Sequence, residues 1–177
     1  MDNLLHVKSQ YAMLMNAKGR VMFDILMYQM EKDEIFIECD RSIAEKVRKH
    51  LSMYKIRRKV KVEHLSSHPV GHIFDNSEDV NDGVFIDPRV GNFGKRSLIG
   101  NVNNVETECL ENYHSKRYQF GIAEGHEEII FDKSFPLESN LGMIIYLMIF
   151  FNFDFSIFKI GFIVFIWSTI PSQPVHR

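Results

Sequence analysis

The residues best suited to chemistry are a few carboxylates and histidines scattered along the 177-residue chain. Glu138 lies two residues beyond Pro136 in the run Phe135-Pro136-Leu137-Glu138-Ser139-Asn140, where the fixed φ of proline rigidifies the approach to the carboxylate. Asp24 sits in a strand-forming run and Glu124 in a glycine-punctuated loop. These three could converge in space, but their separation along the chain does not establish it. His64, His68 and His72 are four apart, a spacing that on a helix would stack three imidazoles on one face and suit a metal ion. Pro69 and Gly71 break any such helix, so loop and surface histidines are expected and no metal is assigned to this chain.

Other candidates are weaker. Cys39 ends a strand and reads as a small core residue, whereas Cys109 lies in an acidic stretch with no basic neighbour to activate it. Two cysteines so far apart form no disulfide framework. Gly91 to Gly100 is glycine-rich but lacks the spacing of a phosphate-cradling loop, and reads as a loop plus a short strand over Lys95 to Ile99. Lys55 to Lys61 is the strongest basic cluster. The formal net charge is −2 and aromatic interleaving is thin, so a docking patch or solvated strand end is expected and no nucleic acid. No nucleophile elbow or Ser/His/Asp order appears, and no catalytic residue is assigned.

The elements that must position these groups form a mixed set. Tyr11 to Met15, the turn Asn16-Ala17-Lys18-Gly19, and the strand Arg20 to Gln29 predict a hairpin. On that second strand, alternation sets Val21, Phe23, Ile25 and Met27 on one face and Asp24 and Tyr28 on the other. Glu34 to Cys39 supplies a third strand. Ser42 and Glu45 match a capping box, opening an amphipathic helix over 43–54 through Ile43, Val47, Leu51 and Tyr54. Lys59 to Glu63, Val70 to Phe74 and Gly83 to Ile86 read as short strands. A helix carrying Tyr113, Arg117 and Tyr118 follows. Asp87-Pro88-Arg89 closes a strand and offers a guanidinium fork to a carboxylate or an anion. With no regular βαβ rhythm, the class is α+β.

The chain changes character after Leu141. Leu141 to Ile170 is apolar and long enough for a membrane helix, since about 20 apolar residues span a bilayer. Asp154 and Lys159 fall inside it, each costing roughly 2.5–3.5 kcal/mol at a helix centre against about 0.3–0.6 gained per large apolar residue. Insertion and a non-native tail remain open readings, and a buried core helix is disfavoured because the preceding domain offers no evident space to enclose it. Residues 1–140 and 141–177 are therefore read as two units.

Several motifs occur together in one order: Asn16-Ala17-Lys18-Gly19-Arg20, Ile37-Glu38-Cys39-Asp40, Tyr54-Lys55-Ile56-Arg57-Arg58-Lys59-Val60, Asp87-Pro88-Arg89, Tyr113 to Gly121, and Pro136-Leu137-Glu138-Ser139-Asn140-Leu141. Over about residues 5–141 they resemble the mitochondrial iron–sulfur cluster assembly factor family related to the glycine-cleavage T-protein (an aminomethyltransferase) and bacterial YgfZ. The resemblance implies a T-protein-like folate-binding fold, a late role in [4Fe–4S] assembly in the mitochondrial matrix, and A-type iron–sulfur scaffold proteins as partners. It places Glu138 where folate-using relatives set a carboxylate against the pterin, with Asn16, Arg20 and Arg117 on the tetrahydrofolate side. The bland readings are a loop-stabilising Glu138, a turn made by Asn16 and Gly19, and structural ion pairs for Arg89 and Arg117.

The family pattern continues into Lys-Gly-Cys-Tyr-x-Gly-Gln-Glu and a C-terminal β-barrel, neither of which follows here. Ala123 also stands where proline is usual, and no transit peptide is recognised at the N-terminus. The resemblance thus implies the N-terminal part of the fold, in a truncated and impaired form. Partner binding rather than catalysis is expected. The alternatives are a folate-dependent one-carbon transferase and a binding module anchored to membrane through 141–170.

Overall fold

The computed structural model describes residues 8–31, 34–55, 59–65, 70–74, 83–98, 110–139 and the backbone of 163–169. It is an α+β arrangement of two sheets and short helices. The strands are β1 (Ser9–Met15), β2 (Val21–Glu31), β3 (Glu34–Asp40), β4 (Lys61–Leu65), β5 (Gly71–Ile73), β6 (Val84–Ile86), β7 (Lys95–Ser97) and β8 (Ile163–Thr169). The helices are α1 (Ala44–Tyr54), α2 (Leu110–Gln119) and the single turn α3 (Gly125–Glu128). The larger sheet runs β1-β2-β3-β8-β4 and the smaller β5-β7-β6.

The hairpin forms as its residues predict. Asn16 builds the turn by accepting at Oδ1 from Lys18 N (2.8 Å) and Arg20 N (3.1 Å), and Gly19 takes φ +73°. One expected face is altered. Leu14 pairs with Phe23 but Met15 pairs with Val21, so Met22 is an extra residue on β2. Such a bulge reverses the alternation on one side of it. Phe23, Ile25 and Met27 pack with Ile37, Cys39 and α1, while Val21 joins Tyr11, Met13, Leu26 and Tyr28 on the opposite face.

Each face of the larger sheet therefore has its own core. On one, α1 lays Ala44, Val47 and Leu51 against the strands. Its start differs from the expected capping box. Asp40, not Ser42, caps a short 3-10 turn over 41–43 by accepting from Ser42 N at 2.8 Å, and Glu45 pairs instead with Arg48 at 2.7 Å. On the other face Phe85, Leu98 and Ile129 close the second core, and Ser9 Oγ donates to Ile86 O at 2.8 Å to tie the sheets together.

The apolar tail requires a correction. Residues 163–169, expected to belong to a membrane helix or to a tail outside the fold, form a strand between β3 and β4, parallel to both. Ile163-Val164-Phe165-Ile166-Trp167 is β-branched and aromatic, the composition of a parallel strand with neighbours on both edges. Its place is a strand slot inside the sheet, between strands that α1 connects, and not the enclosure that a buried helix would need. No helix among the described residues is long and apolar enough to cross a membrane. Residues 140–162 lie outside the described set.

Candidate functional site

Where the second core meets the smaller sheet, the chain buries a charged cluster. Glu38 is on β3, Asp87 and Arg89 follow β6, Arg96 is on β7, Tyr113 is on α2, and Glu124 directly precedes α3. Arg89 donates to Asp87 from Nε (2.9 Å) and Nη2 (2.7 Å), a bidentate clasp. Arg96 reaches Glu38 Oε1 (3.1 Å), Asp87 Oδ2 (3.0 Å) and the Tyr113 hydroxyl (2.6 Å). Tyr28 completes Glu38 by donating to Oε2 at 2.5 Å.

Glu124 is the outermost member. Its Oε2 accepts from Tyr113 at 2.5 Å, from Arg96 Nη2 at 3.2 Å and from Arg89 Nη1. Its side chain is 24% exposed, against 0–3% for Asp87, Arg89, Arg96 and Glu38. Three carboxylates thus face two guanidinia. Burial alone would raise the Glu124 carboxyl, but Arg89 and Arg96 hold it down at about 2. Burial likewise opposes ionisation of Asp87, and the same two arginines hold it well below the usual range. Glu38, deeper, is raised because burial outweighs Arg96. Burial pushes the Tyr113 hydroxyl up to about 12, so it remains a donor at neutral pH.

An aromatic cage adjoins this cluster. The His72 ring lies 4.5 Å from those of Phe74 and Phe93 and 5.2 Å from that of Tyr113. Neither of its nitrogens has a hydrogen-bond partner, and Asp87 Oδ2 is 3.9 Å from Nε2. Burial, with Arg96 nearby, pushes its pKa down to about 3, so the imidazole is neutral. The expectation of a surface histidine is corrected here, because β5 is covered by Phe93 and Tyr113. Gly94 (φ +126°) permits the packing, since a Cβ there would meet Ile73 O at 2.4 Å and His72 Cε1 at 2.8 Å. His64 lies on the other sheet and His68 lies outside the described residues. Among the described residues no group of His, Cys, Asp or Glu could hold a metal ion.

Of the three carboxylates considered for convergence, two meet. Asp24 accepts from Gly125 N at 3.1 Å, which brings it to the residue after Glu124, and burial raises its pKa to about 6. Glu138 turns back on its own loop, where Oε2 accepts from Phe135 N at 2.8 Å. Around that loop three of the predicted residues gather. The Arg20 guanidinium lies 3.4 Å from the centre of the Phe135 ring and donates to Lys133 O at 2.6 Å, while Asn16 Nδ2 bonds Asp132. Arg117 belongs elsewhere: it clasps Glu128 (2.5 and 2.6 Å) and Ile122 O (2.6 Å), an ion pair that organises the turn before α3.

Arg89 was legible as a carboxylate partner, but Glu38, Arg96 and His72 were not. Glu38 alternates with Ile37 and Cys39, which assigns it to the face that usually meets water. Only the second layer, formed from residues about 50 positions away, buries it.

Another trio is exposed. His126 Nδ1 lies 2.7 Å from Asp40 Oδ2 and 3.1 Å from Ser42 Oγ. One ring nitrogen serves both contacts, so the group lacks the two-sided imidazole that a nucleophilic relay needs. It fastens α3 to the end of β3.

No family model matches the chain. Among curated proteins it is similar to the mouse protein named iron-sulfur cluster assembly factor IBA57, mitochondrial, at 31% identity over 159 residues, covering 76% of this chain and 44% of that protein. The human protein of the same name is 29% identical over 156 residues, with 76% and 44% covered. A Neurospora crassa homologue is 27% identical over 161 residues, with 75% and 37% covered. The chain spans less than half the length of these relatives.

Proposed function

We propose that the chain, similar to the mitochondrial iron–sulfur cluster assembly factors, takes part in iron–sulfur protein assembly in the mitochondrion. The observation that carries this reading is the similarity itself, which runs through three quarters of the chain in proteins from mammals and fungi. The described site agrees with a binding role. Among the described residues, the Ser42, His126 and Asp40 group places both contacts on one ring nitrogen, an arrangement that fastens elements together.

The finer reading places the chain in the matrix, at a late step of [4Fe–4S] assembly, where the cluster is cargo and A-type scaffold proteins are partners. The fold we assign is the N-terminal part of a T-protein-like folate-binding fold.

Tetrahydrofolate, which carries one-carbon units, fits three of the four residues considered for it. Glu138 is exposed, and among the described residues the bond from Phe135 N engages its Oε2, so Oε1 faces no described donor and could accept a ligand's N–H. Arg20 and Asn16 stand beside the same loop, and the 40%-exposed Phe135 ring offers a stacking face. Arg117 does not fit, because its guanidinium is closed off by Glu128 and Ile122.

The test is twofold. The purified chain is titrated with an A-type scaffold protein, and the chain, directed to mitochondria, is expressed in cells lacking the full-length relative. Saturable association is expected, with partial recovery of a [4Fe–4S] enzyme. A well-expressed chain that neither associates nor restores activity would overturn the assignment. Folate titration of the wild type and Glu138→Ala decides the cofactor separately, since binding must be saturable and weakened by the substitution.

A further inference from the structure

The convergence on Glu124 has the form of a recognition site filled by the chain's own side chain. Arg89 Nη1, Arg96 Nη2 and the Tyr113 hydroxyl all donate to one oxygen, Oε2. Such convergence of two guanidinia and a phenol on a single point is how a carboxylate is selected. The two guanidinia are held from behind by other carboxylates, and both in turn donate to the Tyr113 hydroxyl. Asp87 clasps Arg89 through two bonds, and Asp87 with Glu38 holds Arg96.

Charge distinguishes Glu124 from the other acids in the cluster. Glu38 and Asp87 already balance Arg89 and Arg96, so Glu124 is the surplus carboxylate. Among these acids it is also the one that water reaches, with its side chain 24% exposed against 3% for Glu38 and 0% for Asp87. The segment that carries it runs between Gly121 (φ +66°) and Gly125 (φ +77°). Rotation of the Glu124 side chain into solvent would leave a neutral cluster with three donors aimed at a vacated point. Those donors suit the carboxylate of a small organic acid.

We propose that Arg89, Arg96 and Tyr113 form a carboxylate-binding site that Glu124 keeps closed, and that a small organic carboxylate enters by replacing it. The exchange swaps one carboxylate for another, so the buried charge is unchanged and the released Glu124 regains its hydration. The ligand competes with an internal group, so its apparent affinity is reduced by the fraction of molecules in which Glu124 is out. This site is separate from the Glu138 loop and does not rest on the assembly role.

The test uses the full chain with acetate as probe and chloride at equal ionic strength as the control. Glu124→Ala removes the plug, and the balanced Glu38, Asp87, Arg89 and Arg96 keep the variant folded. Saturable broadening of the carboxyl signal of 13C-labelled acetate is expected in Glu124→Ala, with a thermal midpoint higher in acetate than in chloride. Wild type should show the same saturation at about tenfold or more higher acetate. Adding Tyr113→Phe to Glu124→Ala should weaken binding again. If acetate and chloride act alike on Glu124→Ala, or if wild type does not respond at any concentration, the exchange is overturned. Should Glu124→Ala not fold, Glu124→Gln replaces it, and acetate binding no tighter than in wild type would also overturn it.

Discussion

Asp24 shows how one side chain can carry a pH dependence for the molecule. It is 6% exposed, its bond from Gly125 N does not offset burial, and its pKa stands at about 6 against an ordinary 3.8. The folded protein therefore binds this proton more tightly than the unfolded chain does. The resulting stabilisation is complete below about pH 4 and is lost as pH rises through about 6. Above that window the ionised group costs about 2–3 kcal/mol. Asp24→Asn, which keeps an acceptor for Gly125 N, should raise stability by up to that amount at pH 8 and change little near pH 3.5. Urea unfolding across that range measures it. Parallel curves for the two proteins would show that Asp24 is not the titrating group.

Among the elements, β8 has the largest consequence. A strand bonded on both edges shields its amides from solvent, so residues 163–167 should exchange hydrogen as slowly as β3. Ile166 pairs with Ile37 on one side and His64 on the other. Ile166→Pro removes a ladder donor from a central strand, where proline is not tolerated, and should lower the thermal midpoint and expose the amides of β4. Rapid exchange through 163–167 in the wild type would mean that β3 and β4 are not joined in this way. α1 needs no such test of its existence, since the helical spacing of Val47 and Leu51 already set the face that it buries.

At the scale of the whole molecule, the charged cluster ties the layers together. Arg96 alone joins Glu38 of the larger sheet, Asp87 behind β6, Tyr113 of α2 and Glu124 before α3. Breaking a buried ion pair from one side strands the other charge, which typically costs about 3–5 kcal/mol. Arg96→Met should therefore lower the midpoint of one cooperative transition, seen alike by far-ultraviolet circular dichroism and tyrosine fluorescence. Leu51→Ala, in the core on the far side of the sheet, should lower the same transition by about 2–5 kcal/mol. Two separated transitions in either variant would mean that the layers fold independently.

Local signals determined much of this protein. Asn16 and Gly19 specify the hairpin turn, alternation specifies β2 and β3, helical spacing specifies α1, and Asp87-Pro88-Arg89 offers a turn and a guanidinium fork, whose partner the structure supplies. The ordered motifs also pointed to the family of its relatives. These features depend on contacts a few residues apart, so the chain carries them wherever it is read. What the tertiary structure decided was which polar residues lie inside. Glu38, Arg96 and His72 have ordinary strand contexts, and only a second layer closing over them makes a buried network. The bulge at Met22 and the insertion of β8 belong to the same class. Each depends on pairing between distant strands, and no residue's own preference encodes which strand will arrive beside it.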